Sequence, residues 1–128
     1  MANVLPRDKQ IQIIKAIVEG VSIRSIERMT DVHRDTIMRL MVRVGEACER
    51  LQDSMMTDLP CEAVEIDEIW GYVAKKQKNV TSDDDALEVG DQWTFVAIDA
   101  DTKLIPCFHT GKRDKTNARA FVADLASR

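Results

Sequence analysis

The sequence predicts an α+β protein in which three helices come first and three strands with a further helix follow. Three observations predict it. Apolar residues recur at helical spacing from Ile14 to Met55, and the ten residues Val64 to Val73 are dense in β-branched and aromatic side chains with no proline. The run Trp93 to Ile98 is apolar on both of its faces, which suits a central, covered strand. The expected division is a helical domain over residues 1–58 and a sheet-containing domain over residues 59–128.

Pro6 stands where its fixed φ and missing N–H suit a helix start, and Ile14, Ile17, Val18 and Val21 form the stripe of a first helix that Gly20 ends. Ser22 caps a short second helix with Ile23, Ile26 and Met29 on one side. Thr30-Asp31-Val32 then makes a tight break, and Ile37, Leu40, Met41 and Val44 line a third helix. Ala47, Cys48, Leu51 and Met55 extend that stripe, so the third helix is expected to run on as a link to the second domain.

Ile26, Val32, Ile37 and Leu40 fall at the apolar offsets typical of helix-turn-helix DNA readers. Asp31 takes the turn position where glycine is usual, and aspartate reaches a left-handed conformation only at some cost. His33, Arg34, Asp35, Thr36, Arg39 and Arg43 lie off the apolar stripe of the third helix, which suits base edges and flanking phosphates of a major groove. Arg24 and Arg28 on the second helix suit backbone contacts. The plain alternative is a three-helix bundle with a solvated charged face.

In the strand Val64 to Val73, Asp67 and Glu68 point to opposite faces, so covering both faces would force one carboxylate inside and demand a cation or metal partner. An edge position or a wet face would leave both solvated. Ala74 to Asp91 follows as a polar, mobile loop, and its three consecutive aspartates, Asp83 to Asp85, read as a solvated charge run. After Trp93 to Ile98, Asp99-Ala100-Asp101-Thr102 supplies a turn, and Lys103 to His109 is expected as a third strand held to an edge by Pro106. The implied order is third, second, first. Asp114 or Thr116 caps a last helix with the stripe Ala118, Phe121, Val122 and Leu125, which meets no stop signal before Arg128 and so reads as interrupted.

The net charge of −4 argues weakly against nucleic acid for the chain as one object, but the charge is unevenly placed. Residues 1–53 carry 9 Lys/Arg against 8 Asp/Glu, and residues 54–128 carry 9 against 14. A slightly basic front joined to an acidic back suits a DNA-reading module fused to a carboxylate-rich site. Cys48, Cys61 and Cys107 have no spacing that seats zinc and are expected as reduced, mostly buried thiols. With no apolar run of membrane length and no apolar signal core near the N-terminus, the expected location is cytoplasmic, near the nucleoid, without membrane contact.

Asp-Glu-Ile-Trp at 67–70, Trp-Thr-Phe-Val-Ala-Ile-Asp at 93–99, Thr-Lys-Leu-Ile at 102–105 and Gly-x-Arg at 111–113 before a helix together resemble the IS1-type insertion-sequence transposases. The likeness spans nearly the whole chain. It implies a helix-turn-helix followed by the first half, β-β-β-α, of a ribonuclease-H-like mixed sheet. It also implies an enzyme family that cuts and joins DNA with an Asp-Asp-Glu set holding two magnesium or manganese ions, because two divalent ions need several acidic ligands. Asp67 matches the first aspartate of that set, as catalytic residue and metal ligand. The second and third would lie beyond residue 128, so the chain is expected to be a truncated transposase with weak or no metal binding and no cleavage of its own. Glu68 and Asp99 are expected in supporting roles, with Asp99 near Asp67 or capping a turn. The implied partners are the terminal inverted repeats of an insertion sequence, as double-stranded DNA, and further copies of the chain. A stand-alone helix-turn-helix regulator with a small α/β interaction domain is the alternative.

Overall fold

The computed structural model describes residues 4–128. The chain divides into two compact units, Met1–Leu51 and Gln52–Arg128. Among the described residues the architecture is α+β, with four α-helices and one three-stranded antiparallel sheet.

The front unit holds α1 (Arg7–Val18), α2 (Ile23–Thr30) and the start of α3 (Arg34–Met55). Pro6 enters α1 at φ −54°, and Gly20 leaves it at φ +77°, a left-handed angle that glycine adopts without a Cβ clash. The core is Ile13, Ile26, Ile37 and Leu40, with Leu5, Ile14, Ile17, Val21, Val32 and Val44 among the partly buried residues packed around it. Two inner faces differ from those expected. On α1 the fully buried residue is Ile13, and Val18 faces solvent, because a helix with Ile11, Ile13, Ile14, Ile17 and Val18 offers two overlapping stripes and only packing chooses between them. On α2 Met29 is exposed and Thr30 takes the inner place, its hydroxyl satisfied by the Ile26 carbonyl at 2.7 Å. The third helix does continue to Met55, with Cys48, Leu51 and Met55 exposed along the extension.

The back unit holds β1 (Val64–Val73), β2 (Gly90–Asp99), β3 (Phe108–Gly111) and α4 (Lys115–Ser127). The sheet order is β1-β2-β3, with Val64 opposite Asp99, Trp70 opposite Trp93 and Phe95 opposite His109. β2 is therefore central, as its apolar faces require. The expected strand over Lys103 to His109 forms only from Phe108. Ala97 N–H still donates to the Cys107 carbonyl, but Asp99 N–H donates to Leu104 rather than to residue 105, so the register slips by one beside Pro106, which has no N–H to give. One face of the sheet is covered by α4: Phe95, Ala97, Cys107 and Phe121 are buried together, and the Phe95 and Phe121 rings stack 5.8 Å apart. Asp114 caps α4 by accepting from Asn117 N–H at 2.8 Å.

The loop after β1 is more organised than its composition suggests. Gln77–Asn79 forms a 3-10 turn, and Asp84 of the acidic run accepts from Lys75 Nζ at 2.8 Å and from Thr81 N–H at 2.7 Å. These bonds hold the Asp84 carboxyl down to about 2, the Lys75 contact contributing most. The three thiols are free but not mostly buried: Cys48 is exposed, Cys61 is half-buried and only Cys107 is enclosed. Helical periodicity placed Cys48 on the stripe, but that part of α3 packs no core. Among the described residues no helix is long and apolar enough to cross a membrane.

Candidate nucleic-acid interface and the Asp67 carboxylate

The α2–α3 corner is built by short-range hydrogen bonds. Ser22 caps α2 by accepting from Ser25 N–H at 3.3 Å, and α2 ends at Asp31 with φ 56° and ψ 25°. Thr30 and its neighbours lock the break: Val32 N–H reaches the Thr30 hydroxyl at 3.4 Å, and Lys9 Nζ from α1 donates to the Thr30 carbonyl at 2.9 Å. The first N–H groups of α3 have no helical partner, and two side chains accept from them. Glu27 Oε1 takes Arg34 N–H at 2.9 Å, and His33 Nδ1 takes Asp35 N–H at 3.2 Å. Sequence reasoning missed Lys9, Glu27 and Thr30 here, although a Glu seven residues ahead of a helix start is a signal only when the turn between is already known.

All seven residues expected to meet DNA are on or beside this corner. Arg24, Arg28, His33, Arg34, Thr36, Arg39 and Arg43 are exposed. Arg28 donates to Ser25 Oγ at 3.0 Å and Arg43 to Gln10 Oε1 at 3.4 Å, which leaves both guanidiniums with spare donors. His33 Nδ1 is turned to Asp35, 3.2 Å from its N–H and 3.6 Å from its Oδ2, so Nε2 is the ring nitrogen left to face a partner. With Ile37 and Leu40 inward, the outer face of α3 carries Asp35, Arg39, Val42 and Glu46, flanked by Met38 and Arg43. Met38, Arg39, Val42, Arg43 and Glu46 line a shallow depression of about 300 Å³. Met38 and Val42 were not anticipated. Their signal was present in the sequence, since residues four apart and off the core stripe must face outward together.

The carboxylates of the back unit do not converge. Asp67 is exposed, and its Oδ1 accepts from Glu68 N–H at 2.7 Å. Glu68 lies on the opposite face and pairs with Arg113 Nε at 2.7 Å. β1 is an edge strand, so neither acid is forced inside. Asp67 sits opposite Val96, and Asp99 opposite Val64, three positions along the ladder. An odd offset puts them on different faces, so the expected proximity of Asp99 to Asp67 does not hold. Asp99 instead organises the turn after β2. It is 4% exposed, accepts from Thr102 N–H at 3.2 Å and from the Thr102 hydroxyl, and the latter bond does most to lower its pKa, against burial. Its other oxygen, Oδ1, is buried without a hydrogen-bond partner. Partial burial and the Asp99 carboxylate push the Cys61 thiol up. Among the described residues no three His, Cys, Asp or Glu side chains are grouped to hold a metal ion.

No family model matches the chain, no curated protein matches it and no solved structure does.

Proposed function

We propose that this protein binds double-stranded DNA through a helix-turn-helix formed by α2 and α3, with α3 entering the major groove. The observation that carries it is the corner itself: two helices joined through a left-handed Asp31, with Arg34, Arg39 and Arg43 exposed on and beside the outward face of the second helix. Met38 and Val42 between those arginines offer apolar contact to thymine methyl groups. Arg24 and Arg28 at the other helix are set for phosphates.

The motifs at 67–70 and 93–99 support placing this binding activity in a transposition protein of the IS1 type, with the element's terminal repeats as the DNA and the back unit as the start of a ribonuclease-H-like domain. Asp67 is the residue that corresponds to a catalytic carboxylate, and a magnesium or manganese ion in the complete site would use it. Because Asp67 and Asp99 lie on opposite faces, binding is better supported than cleavage by these two acting together.

The test is a titration of the full chain with labelled duplexes carrying candidate terminal repeats and with scrambled duplexes, at several salt concentrations. Binding should weaken as salt rises, since counterion release contributes much of the free energy. Arg39→Ala with Arg43→Ala should weaken it by on the order of tenfold or more and flatten the salt dependence by about one to two phosphate contacts. A double variant that matches the parent at every salt concentration would remove α3 as the reading helix.

A further inference from the structure

The outward face of α3 carries a mixture that does not suit phosphates. At about 100° per residue, Val42, Asp35, Glu46 and Arg39 point most directly away from the core residues Ile37 and Leu40, with Met38 and Arg43 to either side. Two carboxylates therefore stand on the outermost line, and phosphate oxygens would repel them. Base edges would not, because the exocyclic amino groups of cytosine and adenine donate to acceptors in the major groove and guanine accepts from arginine. Among the described residues neither Arg39 nor Glu46 has a hydrogen-bond or ion-pair partner of its own, so both are free for such contacts.

The same line holds an apolar side chain. Val42 is 61% exposed and Met38, one turn before it, 42%. With Arg39, Arg43 and Glu46 they line the depression of about 300 Å³. A single exposed valine is ordinary, but here two apolar side chains share one notch with two arginines. An α-helix with its side chains is about 10–12 Å across, which fits a major groove about 12 Å wide, so the outermost side chains are those that meet its floor. On that floor the C5-methyl of a pyrimidine is the one apolar group on offer, and cytosine presents only a hydrogen there.

We infer that Met38 and Val42 make α3 a reader of the pyrimidine C5-methyl group, supplied by thymine or by 5-methylcytosine. The inference rests on the duplex binding proposed above and adds what the helix selects within the duplex. It implies a response to base modification: where the pyrimidine at the notch is cytosine, methylation of its C5 strengthens binding. Each methyl group taken from water into the notch is worth about fourfold in affinity.

Selection with the full chain at low salt, from a pool of random-core duplexes synthesised with thymine and 5-methylcytosine, supplies the probe. The tightest duplex is then remade twice, with deoxyuridine for thymine and with cytosine for 5-methylcytosine. Each change removes the methyl and leaves the hydrogen-bonding edges as they were. One of the two should bind about fourfold more weakly for each methyl read, and the arm that loses affinity identifies the source. Val42→Ala with Met38→Ala should bind the methyl-bearing duplex more weakly and no longer distinguish it from the remade one. A folded variant that still distinguishes them assigns the difference to DNA shape and overturns the inference. If circular dichroism shows that this variant has lost helix, Val42→Ser alone, at the more exposed position, carries the comparison. Equal affinity of the parent for all three duplexes would overturn the inference and leave the duplex reading standing, whereas a pool from which nothing is retained would remove both.

Discussion

Asp31 holds φ 56° where α2 ends, in the left-handed region that costs a residue with a Cβ roughly 1–2 kcal/mol, and an aspartate somewhat less. Glycine would enter the same angles without that cost. Asp31→Gly is therefore expected to stabilise the front unit by about 0.5–1 kcal/mol, seen as a higher denaturant midpoint with an unchanged slope. A lower midpoint would mean that the aspartate side chain contributes something at the turn that its φ does not reveal. The thiols give a second residue-scale prediction. Burial and the Asp124 carboxylate raise the Cys107 thiol, partial burial and the Asp99 carboxylate raise Cys61, and Cys48 is open to solvent. Since the thiolate is the nucleophile, a disulfide reagent at neutral pH should label Cys48 first, Cys61 more slowly and Cys107 only on unfolding. Mass spectrometry of partly labelled protein reads the order, and early modification of Cys107 would contradict the closed core around Phe121.

Among elements, the loop after β1 is tied by one carboxylate. Asp84 titrates near 2 in the folded protein and near 3.8 when free, so its contribution is present above about pH 4 and is lost as pH falls through the folded value. Amide protection of Thr81, which donates to Asp84, should fade between about pH 4 and pH 2. Lys75→Met removes the strongest of the contacts that lower the pKa and should move that loss to higher pH; an unchanged profile would show that the Thr81 bonds suffice. The sequence carried the bounds of β1 because ten consecutive residues favour an extended chain and Pro60 stands shortly ahead of them. It carried β2 as central because both of its faces are apolar. It did not carry β3, where alternation continues through Ile105 and Cys107 but the missing N–H of Pro106 delays regular pairing to Phe108. Nor could it place Asp99 relative to Asp67, since that depends on which residues face each other across two strands, a quantity fixed by the loop between them. The outward set on α3 was legible in helical spacing, while the acceptors at its N-terminus, Glu27 and His33, needed the turn geometry.

At the scale of the whole molecule, each unit has a core of its own: Ile13, Ile26, Ile37 and Leu40 in front, Phe95, Ala97, Cys107 and Phe121 behind. Ile37→Ala should cost the front unit about 2–5 kcal/mol through lost burial and the cavity left, and hydrogen exchange in β2 should change little because the two cores share no buried residue. Equal loss of protection in both units would show that they unfold together. β1 lies at the edge of the sheet, with Ile69 60% exposed on the face opposite α4, and such an edge pairs readily with another strand. Sedimentation should detect association that grows with concentration and that Ile69→Lys suppresses; a monomer at all concentrations would count against it. The boundary between the units falls between Leu51 and Gln52, inside α3, which runs on to Met55. A segment excised there would end in mid-turn, with its last four carbonyls stripped of their donors. Gene fusions that carry the front module elsewhere, in the laboratory or in evolution, should therefore succeed where the junction lies past Met55 or where the recipient continues the helix in phase.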